Sequence, residues 1–166
     1  TTITTGAGAD IITGGAGSDI ISSGDGNDGI TTGAGTDTVT AGAGNDTISI
    51  AAAGLTKADT IAGGDGTDTI KYTGDETVTD ADFTLVTGVE KITANANVLI
   101  SGTLGDKAAA AGITTVVFTD TGGNDSIAID ADGPTALSFT LDSDASNANS
   151  ITAAATYAGT ITVTTL

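Results

Sequence analysis

An all-β fold of short stacked strands is what this sequence predicts, and three observations carry the prediction. A nine-residue pattern of glycines, one aspartate and one aliphatic residue recurs from residue 5 to residue 71. Aromatic residues make up only 3% of the 166-residue chain, and Trp and Met are absent, so no large side chains are available to fill a helical core. The apolar share is instead Ile, Val and Ala among many threonines, a composition suited to pleated, half-buried strands. A short fixed period of this kind decides the architecture before any single residue does.

Aligned on the aspartate, the copies are Thr5–Thr13, Gly14–Ser22, Ser23–Thr31, Thr32–Thr40 and Ala41–Ser49. A stretched copy, Ile50–Ala62, carries four extra residues around "AAAGLTK", and a clean copy, "GGDGTDTIK", closes the series at Gly63–Lys71. The second and fourth positions of the clean copies are glycine: Gly6 and Gly8, Gly15 and Gly17, Gly24 and Gly26, Gly33 and Gly35, Gly42 and Gly44, Gly64 and Gly66. Alternating glycines let a tight turn visit positive φ and bring main-chain carbonyls towards a common point. The sixth position is Asp throughout: Asp10, Asp19, Asp28, Asp37, Asp46, Asp59 and Asp68. The eighth is Ile12, Ile21, Ile30, Val39, Ile48, Ile61 and Ile70, flanked mostly by Thr, Ser or Ile, as a short strand with alternating faces requires. Each copy therefore reads as a turn followed by a strand with one aliphatic side chain pointing inward.

This pattern resembles the glycine-rich nonapeptide G-G-x-G-x-D-x-U-x of the repeats-in-toxin (RTX) family, in which U is a large aliphatic residue. The resemblance implies a right-handed parallel β-roll, two copies to a coil, with alternate turns stacked on the same edge. One edge would then hold Asp10, Asp28, Asp46 and Asp68, the other Asp19, Asp37 and Asp59. The insertion before Asp59 is expected to disturb the register on both edges from that point onward.

Neighbouring strands lie about 4.8 Å apart, so stacked aspartates would form a carboxylate ladder. Two bare charges at roughly 5 Å repel by about 3 kcal/mol at an effective dielectric near 20. The chain has 21 acidic residues against four lysines, a net charge of −17, so side chains cannot neutralise such a ladder. Calcium can, because it takes about six to eight oxygens and accepts carbonyls as readily as carboxylates. Magnesium prefers to keep its waters, and the nitrogen and sulfur ligands that suit zinc are missing, since the chain has no His and no Cys. The ligands would be the seven sixth-position aspartates and the carbonyls of the glycine turns. About four to six ions are expected, and five stacked pairs would reduce the charge to about −7. Asp25 and Asp65, at third positions, add negative charge near the turns and are not read as ligands. With no disulfide available, metal binding would supply the folding energy that a thin core lacks.

From Tyr72 the nonapeptide stops, and the chain divides at residue 74 into a roll (1–74) and a β-rich continuation (75–166). Strands are expected near Glu90–Thr93 and Asn97–Ser101, then over "ITTVVF", "DSIAI", "ALSFTL", "NSITA" and "GTITVTTL". "GDKAAAAGI" predicts a short helix near 106–111, with Asp106 as its cap and Gly112 as its stop. "GGNDSIA" repeats the motif in degenerate form with Asp125 and Ile127 in register, and "NANSITA" places Asn149 where Asp belongs. A calcium-poor parallel β-solenoid is the reading for this half, with one site near Asp125; an independent sandwich is the alternative. Asp120, Asp130, Asp132, Asp142 and Asp144 read as solvated surface.

The charge excludes nucleic acid and anionic membranes as partners, since both need basic patches, and no apolar run is long enough to span a bilayer. Without His, Cys or a G-x-S-x-G elbow, the chain is read as non-enzymatic. "TTIT" at the start reads as the tail of a preceding repeat, and so as part of a longer protein. The Thr, Ala and Gly-rich composition, with "GGDGTD" followed by "FTLVTGVEKI", is most similar to RTX-type bacterial surface-layer (S-layer) proteins. That resemblance implies type I secretion, a cell-surface location and self-association into a lattice. A calcium-triggered secretion and folding module of a toxin, protease or lipase, or a segment of a large adhesin, are the alternatives.

Overall fold

A computed structural model of the chain describes residues 1–51, 54–118, 124–141 and 148–165. The repeats form the first eight strands: β1 (Thr2–Thr4), β2 (Ile11–Ala16), β3 (Ile20–Asp25), β4 (Gly29–Ala34), β5 (Thr38–Ala43), β6 (Thr47–Ile50), β7 (Thr60–Asp65) and β8 (Thr69–Tyr72). Odd strands pair with odd and even with even, all in parallel, so the chain winds as a β-solenoid of two facing sheets. Each strand carries its eighth-position aliphatic inward, and all seven of those residues are buried. At about 2 kcal/mol for each fully buried Ile or Val, the column is the main apolar contribution to this half.

Two residues further along each strand, the first position of the next repeat also faces inward. At the ends of β6 and β8 it holds the buried Ile50 and Tyr72, whereas from β3 to β5 it holds small side chains, Ser23, Thr32 and Ala41, and these are buried. Their hydroxyls are satisfied between coils: Thr5 Oγ1 donates to the Ser23 carbonyl and Ser23 Oγ to that of Ala41, both at 2.7 Å. Small residues here keep the two sheets close, which is why a core of single aliphatics closes without a gap.

The stretched copy does not disturb the register, contrary to expectation. Thr38 pairs with Thr60 and Thr47 with Thr69, so the coil offset rises from 18 to 22 residues while strand still faces strand. The extra residues are absorbed before β7, where Leu55 turns into the core and Thr56 hydrogen-bonds Asp59. A fixed two-residue side-chain period explains the tolerance. An insertion confined to a turn leaves the alternation intact, whereas one inside a strand would turn the aliphatics outward.

Beyond residue 74 the solenoid continues as parallel sheet. The strands are β9 (Glu76–Val78), β10 (Val86–Thr87), β11 (Lys91–Ala94), β12 (Ile100–Leu104), β13 (Thr115–Phe118), β14 (Ser126–Ile129), β15 (Ala136–Leu141), β16 (Ser150–Ala153) and β17 (Thr160–Thr165). The even-strand sheet runs on without a break through β11, β13, β15 and β17 to eight strands. The odd-strand sheet ends at β10, and a new four-stranded sheet of β9, β12, β14 and β16 takes over. Coils here are longer, with offsets of 24 and 25 residues between stacked positions. The wider interior accepts large side chains: Phe83, Phe118 and Phe139 are fully buried there, and Tyr72, at the end of the last roll strand, is buried where the widening begins. Phe118 and Phe139, on adjacent strands, pack with their rings tilted by 49° and centroids 6.5 Å apart.

A helix, α1 (Asp106–Ala111), sits against β10 and covers the end of the odd-strand sheet, which would otherwise present unpaired edge groups. Its cap is Gly105 rather than Asp106, which is the first helical residue. The capping carboxylate comes from another element: Asp80, in the 3-10 turn Asp80–Phe83, accepts the N–H groups of Gly105 at 2.7 Å, Ala108 at 3.0 Å and Lys107 at 3.1 Å. Gly112 ends the helix at φ 105°, a conformation that favours glycine. Asp80→Ala should therefore cost about 1–2 kcal/mol. The expected readout is a lower thermal midpoint, with the nonapeptide half no less protected from hydrogen exchange than in the parent chain.

Candidate metal centre

Each nonapeptide places its aspartate as the last turn residue, immediately before a strand, so strand pairing fixes the carboxylates in columns. On the edge leading into the even strands, Asp10 N–H donates to Asp28 Oδ1, Asp28 N–H to Asp46 Oδ1 and Asp46 N–H to Asp68 Oδ1, all at 2.8 Å. On the opposite edge Asp19 N–H reaches Asp37 Oδ1 at 2.9 Å and Asp37 N–H reaches Asp59 Oδ1 at 2.8 Å. The structure thus brings together the two sets that the resemblance implied, as five stacked pairs. Apart from Asp10, which is half-buried, each of these aspartates is at most 3% exposed.

The ladder accounts for Oδ1 of Asp28, Asp37, Asp46, Asp59 and Asp68, while Oδ1 of Asp19 accepts from the Thr1 amino group at 2.5 Å. Oδ2 of Asp19, Asp28, Asp46 and Asp68 is buried and accepts no hydrogen bond from any described residue. A charged oxygen in that state is costly unless a cation or proton reaches it. Burial accordingly pushes the carboxyls of Asp37, Asp46 and Asp68 above their ordinary range. The hydrogen bond each makes to the main chain of the aspartate below opposes the rise, and the neighbouring carboxylates add to it. Asp59 differs, because the insertion supplies Thr56, whose N–H and hydroxyl bind Asp59 Oδ2 at 2.7 and 2.9 Å.

The glycine turns supply the remaining oxygens. Gly33 has φ 95°, and a Cβ there would overlap the carbonyl oxygen of Gly15 in the coil below. Over Gly14 two oxygens of different coils converge: a Cβ built on it would overlap the Thr32 carbonyl oxygen and lie 2.8 Å from Asp19 Oδ2. Among the described residues no three acidic side chains gather around one point. A cation would therefore be held by a stacked pair of carboxylates together with main-chain carbonyls. That donor set is all oxygen, it includes buried carboxylate oxygens with no other partner, and its space is kept open by missing Cβ atoms. It suits calcium in chemistry and in number of donors.

Other expected positions fall differently. Asp25, Asp65, Asp130 and Asp132 are exposed, while Asp120, Asp142 and Asp144 lie outside the described residues. Asp125 is 1% exposed and occupies a comparable rung in the second half: it accepts Ile100 N–H at 2.7 Å and donates its own N–H to Asn149 Oδ1 at 2.9 Å. Its neighbouring rungs are thus Ile100 and Asn149, neither of them a carboxylate. Sequence reasoning missed the Asn27–Asn45 rung on the outer side of the turns, where Asn45 N–H meets Asn27 Oδ1 at 2.7 Å. It also missed Thr56 and Glu90; the recurrence of Asn one residue before Asp28 and Asp46 was the available signal for the first of these.

A parallel roll whose turns line up carboxylates and carbonyls in this way defines a calcium-binding repeat protein. The family model of the RTX calcium-binding nonapeptide repeat, in four copies, matches residues 1–30, 25–48 and 52–76. Residues 1–48 and 52–76 are thus similar to RTX repeats, which bind Ca2+ and are typical of secreted proteins. No curated protein and no solved structure matches the chain.

The raised carboxyls fix the sign of a pH effect. In the window above the ordinary carboxyl value of about 4 the folded chain holds protons that the unfolded chain has released, so stability falls as pH rises. In chelator, the thermal midpoint should drop as pH rises above about 4, and calcium should abolish the drop. Asp46→Asn together with Asp68→Asn should flatten the chelator profile; a midpoint that climbs with pH in chelator contradicts the assignment.

Proposed function

We propose that this chain is a calcium-folded structural segment of a secreted bacterial S-layer protein, contributing to a self-assembled lattice on the cell surface. The observation that carries the calcium part is the row of buried Oδ2 atoms of Asp28, Asp46 and Asp68 on one edge, with that of Asp19 on the other, none of them hydrogen-bonded by a described residue. Repulsion along those rows opposes folding until divalent ions enter, and the ordered roll follows. In a calcium-poor cytosol the chain stays loose enough to be exported, and outside the cell it folds. About four to six ions fit the five stacked pairs.

The S-layer part rests on composition and on the order of the motifs. Threonine, alanine and glycine dominate, and the last nonapeptide is followed by "FTLVTGVEKI". Exposed positions along β17 are largely threonine, a hydrophilic face of the kind that packs against copies of itself without collapsing. Among the described residues no helix is long and apolar enough to cross a membrane. The role is non-catalytic, because the paired carboxylates are committed to the columns and the chain offers no His or Cys. A secretion and folding module attached to an enzyme or toxin is the second reading, favoured by the same columns; it differs in leaving the segment monomeric.

The test is a calcium titration followed by far-ultraviolet circular dichroism and light scattering, then reversal with EGTA. Strand signal should appear cooperatively in calcium and not in magnesium. Ordered two-dimensional arrays of the full-length protein by electron microscopy are expected for the S-layer role, whereas persistent monomers would select the secretion module. Equal folding in EGTA would overturn the calcium dependence itself.

A further inference from the structure

The carboxylate column on the even-strand edge does not end with the last nonapeptide. Glu90 lies beyond residue 76, where the repeat match stops, and it precedes β11 as Asp68 precedes β8. Asp68 N–H donates to Glu90 Oε2 at 2.8 Å, the same bond that each aspartate below makes to the carboxylate above it. The turn that delivers Glu90 is shorter than a nonapeptide turn. Gly63 stands five positions before Asp68, whereas Gly88 stands two before Glu90, and the additional methylene of glutamate restores the reach.

The carbonyl half of the arrangement is present as well. A Cβ on Gly63 would overlap the carbonyl oxygen of Gly88 and lie 2.6 Å from Asp68 Oδ2. This is the convergence seen over Gly14, where the Thr32 carbonyl and Asp19 Oδ2 meet. Asp68 is fully buried, and its Oδ2 accepts no hydrogen bond from any described residue. Neither carboxylate forms an ion pair with a described lysine. The rung above Glu90 is Thr114, which carries no charge and donates its N–H to the Glu90 carbonyl at 2.9 Å, so the column stops there.

We propose that Asp68, Gly88 and Glu90 form a further calcium site, built from a non-nonapeptide turn, that closes the metal column where the roll widens. The inference rests on the reading that the nonapeptide columns bind calcium, and it adds an ion outside them. Its consequence is local: the ion fastens the last RTX coil to the first wide coil at the junction of β8 and β11. Calcium occupancy of the roll is then felt by the continuation that stacks on it.

The experiment counts calcium ions bound by the intact chain, using calcium chloride and isothermal titration, for the parent protein and for Glu90→Gln. Glutamine keeps an acceptor for the Asp68 N–H and removes the charge. The expected result is one ion fewer, with the other ions still bound. The same count and the same affinity in Glu90→Gln overturn the site while leaving the nonapeptide reading intact. A parent chain that binds no calcium overturns both readings together. Should Glu90→Gln fail to fold, an anomalous-scattering map of parent crystals grown in calcium decides. A peak about 2.3–2.6 Å from oxygens of both Asp68 and Glu90 supports the site. Peaks over the nonapeptide pairs with none at this position overturn it.

Discussion

Every feature of the first half depends on one hydrogen bond repeated coil by coil, the N–H of one aspartate to Oδ1 of the aspartate above. It fixes the height of each turn over the next and holds the carboxylates inside the turn, where they are almost fully buried. The same bond commits only half of a carboxylate; Oδ2 of Asp28, Asp46 and Asp68 is left buried and unpaired by any described residue, and at Asp68 it converges with a main-chain carbonyl. A fold built this way conflicts with itself at neutral pH until a cation is supplied, because buried like charges stacked at strand spacing repel and no lysine reaches them. The charge imbalance of the chain is therefore a consequence of the architecture rather than a separate surface property.

The way the roll becomes the wider solenoid follows from where length can be added. Glycine turns with positive φ cannot accept side chains, and the strands cannot accept a single extra residue without turning their aliphatics outward. Only the segments leading into the turns remain. The first insertion enters there, before Asp59, and it gives that carboxylate a partner, Thr56, that the other aspartates lack. Later coils lengthen further, the odd-strand sheet is handed over to a second short sheet, and the interior becomes broad enough for Phe83, Phe118 and Phe139. Two sources of stability thus occupy the two halves. Single aliphatics and the carboxylate columns, which calcium would neutralise, serve the narrow coils, and aromatic packing with a capped helix serves the wide ones.

Much of this was legible before any coordinates. Period nine with Asp at the sixth place and Ile or Val at the eighth specifies strands, turns and the inward column, and the family resemblance adds the two carboxylate edges. All seven aliphatics and both aspartate sets fall where that pattern puts them. The late strands were legible too: "ALSFTL" coincides with β15, because the alternation of apolar residues there is strong. The helix at 106–111 was readable from its alanines and Gly112, but its cap was not. Asp80 is distant in sequence and reaches the helix only because the 3-10 turn packs beside it.

What the sequence by itself determined is everything that repeats or alternates locally, since a period and a turn residue act within a few positions of themselves. What only the tertiary structure decided is which distant residues share a rung. The retained register across the insertion, the answer of Thr56 to Asp59, the pairing of Asp125 with Asn149 and the place of Glu90 above Asp68 all belong to that second class. Stacking in a solenoid joins residues 18 to 25 positions apart, and the number changes with each coil. Once the coil length varies, no fixed spacing can announce a partner, and only the hydrogen-bonded sheet counts the residues correctly.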